Sequence, residues 1–172
     1  MKRIAVLLIA GFLFVSLAQA EPYNRAKQFG HGWADMDHDG LDTREELIDR
    51  DMLLPGEILC EYTGELHSVC STQAEHVIPL SWAWQHGAEG WSQEQRIAFA
   101  NDESLLLMVY GPVNQSKGDR GYSEWLPPRI RFIPKYLAMW VAGCKKYNLE
   151  CDYEALTLLS VRYSMMANGV KP

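Results

Sequence analysis

The chain has 172 residues, 48% of them hydrophobic, which is enough for one domain with a real core, and it shows no internal repeat or low-complexity tract. Its formal net charge of −6 excludes nucleic-acid binding through overall charge, so any phosphate-binding face must be local. The distribution permits one: twelve acidic residues face only Arg44 and Arg50 between Asp35 and Glu75, whereas seven basic residues face Asp119 and Glu124 between Gly111 and Lys146. Two ordinary solvated surfaces would give the same counts.

The amino terminus has the form of a signal peptide over residues 1–20: Lys2-Arg3, an apolar run from Ile4 to Val15, and the small-residue site Ala18-Gln19-Ala20. The run is shorter than the roughly 20 residues of a spanning helix. The expectation is an exported chain, periplasmic or secreted, with no stable membrane association after signal removal and one domain over 21–172; an uncleaved anchor is the alternative. Export makes Cys60, Cys70, Cys144 and Cys151 disulfide cysteines, since their spacing lacks the paired Cys-x-x-Cys of a zinc ribbon. Three pairings are open; 60–70 with 144–151 is favoured because each bridge closes a short loop.

Residues 21–34 show little periodicity and are expected to be a lead-in. Asp35-Met36-Asp37-His38-Asp39-Gly40, closed by Glu46, has the acidic spacing of an EF-hand loop, in which alternate carboxylates converge on one hard cation and glycine makes the turn. Asp35, Asp37, Asp39 and Glu46 are therefore candidate structural Ca²⁺ ligands; an acidic capped turn that starts a helix is the alternative. A helix is expected over Glu45–Leu54, stopped by Pro55-Gly56, and a turn at Tyr62-Thr63-Gly64. Val77-Ile78 predicts a strand ended by Pro79, followed by a helix through Trp82-Ala83-Trp84 up to Gly87. Ser92 with Gln95 forms a capping box for a helix ending near Asn101-Asp102. Leu105–Tyr110 has the composition of a buried strand, and two core helices over 134–168 close the chain, the second capped by Asp152.

The stretch 75–119 concentrates the chemistry. Glu75-His76 places a carboxylate beside a base that is neutral at physiological pH. Asn114 adds an amide oxygen, and together these hard donors suit Mg²⁺ or Mn²⁺. Lys117, three residues on, shares a helix face with Asn114 and could reach a bound phosphate.

These residues, with Val77-Ile78-Pro79-Leu80, Gly87-Ala88, Trp91, Arg96, Phe99-Ala100-Asn101-Asp102, Asn114-x-x-Lys117-Gly118-Asp119, Trp125-Leu126-Pro127 and the upstream Trp33 and Thr43-Arg44, resemble the exported HNH endonucleases. The resemblance implies a ββα-metal (HNH) core, so that the expected fold is α+β with additional mainly helical elements and the two disulfides that export suggests. It implies His76 as general base, Glu75 and Asn114 as metal ligands, and Lys117 as the cation for transition-state charge. Arg96, Asn101 and Asp102 match positions suited to loop bracing or substrate contact; Arg120, Arg129 and Arg131 are candidate phosphate contacts. One departure stands out: the middle Asn of the motif, a brace for the loop carrying the base, is Leu105 here, with Asn101 the candidate replacement. The expected activity is metal-dependent hydrolysis of nucleic acid, DNA foremost, with low sequence selectivity by a monomer. The alternatives are a non-enzymatic calcium-binding module and a nuclease-like protein that binds nucleic acid without cutting it.

Overall fold

The computed structural model describes residues 22–170; the expected signal peptide lies outside them. None of the described helices is long and apolar enough to cross a membrane. The expected lead-in contains a short helix, α1 (Arg25–Phe29), capped by Asn24, whose side-chain oxygen accepts from the Lys27 amide at 3.0 Å. Phe29, 2% exposed, pins it to the core. A single buried aromatic leaves no periodic trace in so short a segment.

Helix α2 (Thr43–Asp51) opens with a reciprocal box: Asp42 accepts from Arg44 and Glu45 amides, and Glu45 accepts from the Asp42 amide. It stops three residues before Leu54, because Met52–Leu54 pairs as β1 with β2 (Glu57–Cys60) instead. Strand β3 (Glu65–Ser68) completes this antiparallel sheet through the Tyr62-Thr63-Gly64 turn, where Gly64 takes φ +81°.

The sheet corrects one disulfide. Cys60 opposes Glu65 at the turn end of β2–β3, whereas Cys70 follows Ser68 at the far end, where Ser68 opposes Glu57. Three residues of strand, about 10 Å, separate the two ends. Cys60 is buried, Cys70 is exposed, and both are free thiols. Cys144–Cys151 is bonded as expected.

The second sheet is one antiparallel pair, β4 (Thr72–His76) with β5 (Leu106–Tyr110), in register from Thr72↔Tyr110 to His76↔Leu106. The strand before Pro79 thus ends at His76 rather than at Val77-Ile78. Those two residues turn into the core, and the Val77 amide donates to the Leu105 carbonyl at 3.0 Å. Between the strands lie α3 (Leu80–Gln85) and α4 (Gln93–Ala100), the latter with the expected Ser92–Gln95 box. Helix α5 (Gly111–Lys117) follows β5 without a loop. Helices α6 (Ile133–Tyr147) and α7 (Tyr153–Ala167) close the chain, joined by the disulfide and by Asn148 in left-handed conformation.

Strand β5 divides two cores by its period-two alternation. Leu107 and Val109 face the main cluster, with Ile78, Phe99, Tyr136, Leu137 and Trp140. Leu106 and Met108 face a smaller one with Leu47 and Ile58, on which Trp33 and Ala74 pack. Directly paired residues share a face, so Glu75 lies on the side of Leu107 and His76 on the side of Leu106.

Candidate active site

Helix α5 crosses the face of β4 that carries Gln73 and Glu75, and two side-chain rungs join them. Asn114 Nδ2 donates to Gln73 Oε1 at 3.0 Å, and one turn on, Lys117 Nζ meets Glu75 Oε1 at 2.5 Å. The i, i+3 spacing on the helix matches the i, i+2 spacing on the strand.

Lys117 has no exposed side-chain surface and Glu75 only 7%. Lys117 also donates to the His76 carbonyl at 3.0 Å, and Tyr62 donates its hydroxyl to Glu75 Oε1 at 3.3 Å. Burial pushes the Glu75 carboxyl above its ordinary range, and the lysine charge and hydrogen bond pull it back. Burial likewise lowers Lys117, with Glu75 opposing. This corrects the expectation that Lys117 meets substrate: its ammonium is spent on Glu75 and on fixing the end of β4.

His76 is held from two directions. Its Nε2 lies 2.8 Å from the Ala100 carbonyl, which can only accept, so Nε2 carries the proton and Nδ1 keeps its lone pair. The ring stacks on Trp33 with centroids 5.2 Å apart and planes at 14°. Burial lowers the imidazole pKa to about 4, with the Ala100 hydrogen bond opposing and the charges of Arg25 and Lys117 adding to the fall. The ring is neutral at physiological pH, which is the form a general base needs.

Both supports of His76 converge on Asn101, which is 6% exposed. Its Oδ1 accepts from the Ala34 amide at 2.9 Å, next to Trp33, and its backbone follows Ala100 directly. Its Nδ2 donates to the Ile97 carbonyl of α4 at 2.9 Å. Leu105, at the middle motif position, is a core residue 4% exposed; its methyl groups lie 3.0 Å from where a Cβ on Gly143 would stand.

A cleft of about 410 Å³ runs along β4, lined by Thr72–His76 from the strand, Asn114 from α5, and Arg25, Trp33 and Arg44 from the other side. The donor set fits a hard divalent cation. The Lys117 and Tyr62 side chains both contact Glu75 at Oε1, a backbone hydrogen bond from His76 also reaches the carboxylate, and the Asn114 amide nitrogen is taken by Gln73, leaving Oδ1. One carboxylate and one amide oxygen on a water-accessible cleft suit Mg²⁺ or Mn²⁺, which keep several waters.

The remaining candidates serve the scaffold. Arg96 donates to the carbonyls of Gln28 and Trp91 and lies over the Trp84 ring, tying α1 to α4. Asp102 accepts from Ser104, Lys146 and Tyr147. Arg120 donates its Nε–H to the Lys117 carbonyl, and Arg129 pairs with Glu61 at 2.8 Å; Arg131 is exposed beside Met166, in a different groove. Three of the seven basic residues of segment 111–146 pair with the acidic segment: Lys117 with Glu75, and Arg129 and Lys135 with Glu61. Asp35, Asp37 and Asp39 each offer an oxygen within 4.8 Å of the others, and these carboxylates together with Glu103 raise the Glu46 pKa, after its partial desolvation. Arg25, Tyr62, Gln73 and Ala100 are site residues that the sequence did not single out.

The chain belongs to the family of GmrSD restriction endonuclease C-terminal domains, which matches residues 32–152. It is also 39% identical over 98 residues to an "Uncharacterized secreted protein" of Arthroderma benhamiae, covering 55% of this chain and 48% of that protein. The chain therefore spans about half the length of the curated relative it matches. No solved structure matches it.

Proposed function

We propose that the protein is an exported, divalent-metal-dependent endonuclease of the HNH type, built on β4, β5 and α5 as a ββα-metal unit. The observation that carries this reading is His76 held neutral, with its Nδ1 lone pair free, in one cleft with Glu75 and Asn114. Family membership and the secreted relative support it. His76 Nδ1 takes the proton of the attacking water, and the Ala100 hydrogen bond steadies the imidazolium that forms. Glu75 and Asn114 would hold Mg²⁺ or Mn²⁺, which supplies charge stabilisation for the phosphorane and the leaving oxygen. Lys117 and Tyr62 favour the ionised form of Glu75 against its burial and occupy its Oε1. Substrate choice is assigned to backbone contacts, with low sequence selectivity and DNA the foremost substrate.

The loop from Asp35 to Glu46 is a candidate structural Ca²⁺ site in the same reading, because it precedes the helix that carries Arg44 into the cleft. Calorimetric titration with Ca²⁺ tests it: saturable binding lost in Asp37→Asn is expected, and no heat would remove the site. The activity itself is tested by incubating residues 21–172 with plasmid DNA and with RNA, each with Mg²⁺, Mn²⁺ or EDTA. Cleavage dependent on metal, leaving 5′-phosphate and 3′-hydroxyl ends, is expected. Intact substrate under every metal would contradict the proposal.

A further inference from the structure

We propose that Arg25 and Arg44 form the phosphate-binding edge of the cleft, holding the nucleic-acid backbone along β4 on the side opposite Asn114. This deepens the nuclease reading and rests on it. Strand β4 pairs with β5 alone among the described residues, so its other edge is open, and the cleft lies along it. Asn114 enters from α5, whereas Arg44 on α2 and Arg25 on α1 enter from the other side. Arg25 also lines an adjoining recess of about 190 Å³ with Tyr23, Ser81 and Asp119, which shares Glu75 and His76 with the cleft. The two hollows form one groove that passes the base, with Arg25 at their junction.

Among the described residues, several cations are engaged: Lys117 with Glu75, Arg50 with Asp51, Arg129 and Lys135 with Glu61, Lys146 with Asp102, and Arg96 and the Nε of Arg120 with backbone carbonyls. Among the described residues, neither the Arg25 nor the Arg44 guanidinium has a carboxylate within ion-pair distance. Arg25 lies over the Trp33 ring, 5.8 Å from its centroid, on a residue whose ring also stacks against His76. The stacking orders the guanidinium while leaving its N–H edge for an acceptor. Two unpaired guanidiniums beside a neutral base suit a bidentate phosphate oxygen pair, and their charge offsets the acidic loop at the start of α2. Arg25 lies outside the segment that defines the family, residues 32–152, so this half of the clamp is a feature of the chain's own amino-terminal helix.

The test uses Arg25→Gln, Arg44→Gln and the double variant, with the exposed Arg131→Gln as control. Each is made in a His76→Ala background for equilibrium binding of a fluorescent oligonucleotide across salt concentrations, and in the His76 background for kcat/KM. The expected result is affinity roughly tenfold weaker per arginine, with the salt slope reduced by about one for each. Melting temperature and the Arg131→Gln control should be unchanged, and Arg→Lys at both positions should keep the slope while losing part of the affinity. If the double variant binds and cleaves as its parent does, the assignment is wrong and the nuclease reading stands. If the parent neither binds nor cleaves any nucleic acid, the nuclease reading fails and takes this assignment with it.

Discussion

Replacing Lys117 by Met separates the two roles a lysine at this position can play. In the structure its ammonium has no exposed surface and sits 2.5 Å from a carboxylate that is itself only 7% exposed. Removing it leaves Glu75 buried, with Tyr62 as its side-chain donor. Stranding one member of a buried pair costs about 3–5 kcal/mol. For a domain of this size that lowers the melting temperature by roughly 6–20 °C, at about 2–4 °C per kcal/mol. The sign of the pH dependence follows from Glu75. Burial already raises its folded-state pKa, and losing the lysine raises it further. A raised acid contributes stability below its unfolded pKa of about 4.3 that is lost as pH rises through the folded value. The deficit of Lys117→Met relative to wild type should therefore be smallest near pH 4 and grow toward pH 7. Glu75→Gln combined with Lys117→Met should recover a large part of the loss, because no buried charge remains. Thermal melts of the four proteins between pH 4 and 7.5 measure this. A deficit below about 1 kcal/mol, additive in the double variant and flat with pH, would refute the buried pair and return Lys117 to the substrate.

Asn101→Ala should lower kcat/KM by roughly 10–100-fold with a smaller effect on melting, because it releases the Ala34 amide beside Trp33, whose ring stacks on His76, and the Ile97 carbonyl in the helix that ends at Ala100; steady-state kinetics beside a melt checks this, and unchanged kinetics would sink the brace. Asp102 is raised by burial, but hydrogen bonds from Lys146, Ser104 and Tyr147 outweigh it and hold the carboxyl below its usual range. Its stabilisation is present above the unfolded pKa of about 3.9 and lost as pH falls through the folded one, so Asp102→Asn should melt with a shallower acid limb between pH 5 and 3. Thiol titration of the folded protein should find one accessible cysteine, Cys70, and unfolding without reductant should reveal a second, Cys60. Cys144→Ser with Cys151→Ser should cost about 2–3 kcal/mol in denaturant melts, the value for closing so short a loop.

The parts of the fold that were legible in sequence are those set by local rules. The Ser92–Gln95 box, the apolar run of β5, Pro134 near the start of α6 and the Asp152 cap each lie within a few residues of their cause. The sheet β1–β2–β3 was not legible, since Met52–Leu54 reads equally well as the end of α2 and only pairing with β2 decides it. The same long-range register separates Cys60 from Cys70, which spacing alone places together. In the site, the residues at motif spacing could be named but their partners could not. Lys117 reads as a cation for the substrate because nothing in the chain near it shows that a distant strand, β4, brings Glu75 against it. Asn101 could be proposed as a brace, but its bond to Ala34 spans 67 residues. Arg25 has no signal in sequence: it becomes a cleft residue only because Phe29 anchors a five-residue helix beside Trp33.

The most direct test of the account replaces His76 by Gly and measures single-turnover cleavage of DNA with the metal that best supports the wild type. The neutral imidazole with a free Nδ1 is assigned the water proton, so the rate should fall about 10²–10⁴-fold while the fold melts nearly as before, and added imidazole should restore part of it. A His76→Gly protein that cleaves at the wild-type rate under the same metal would overturn the assignment of His76 as general base.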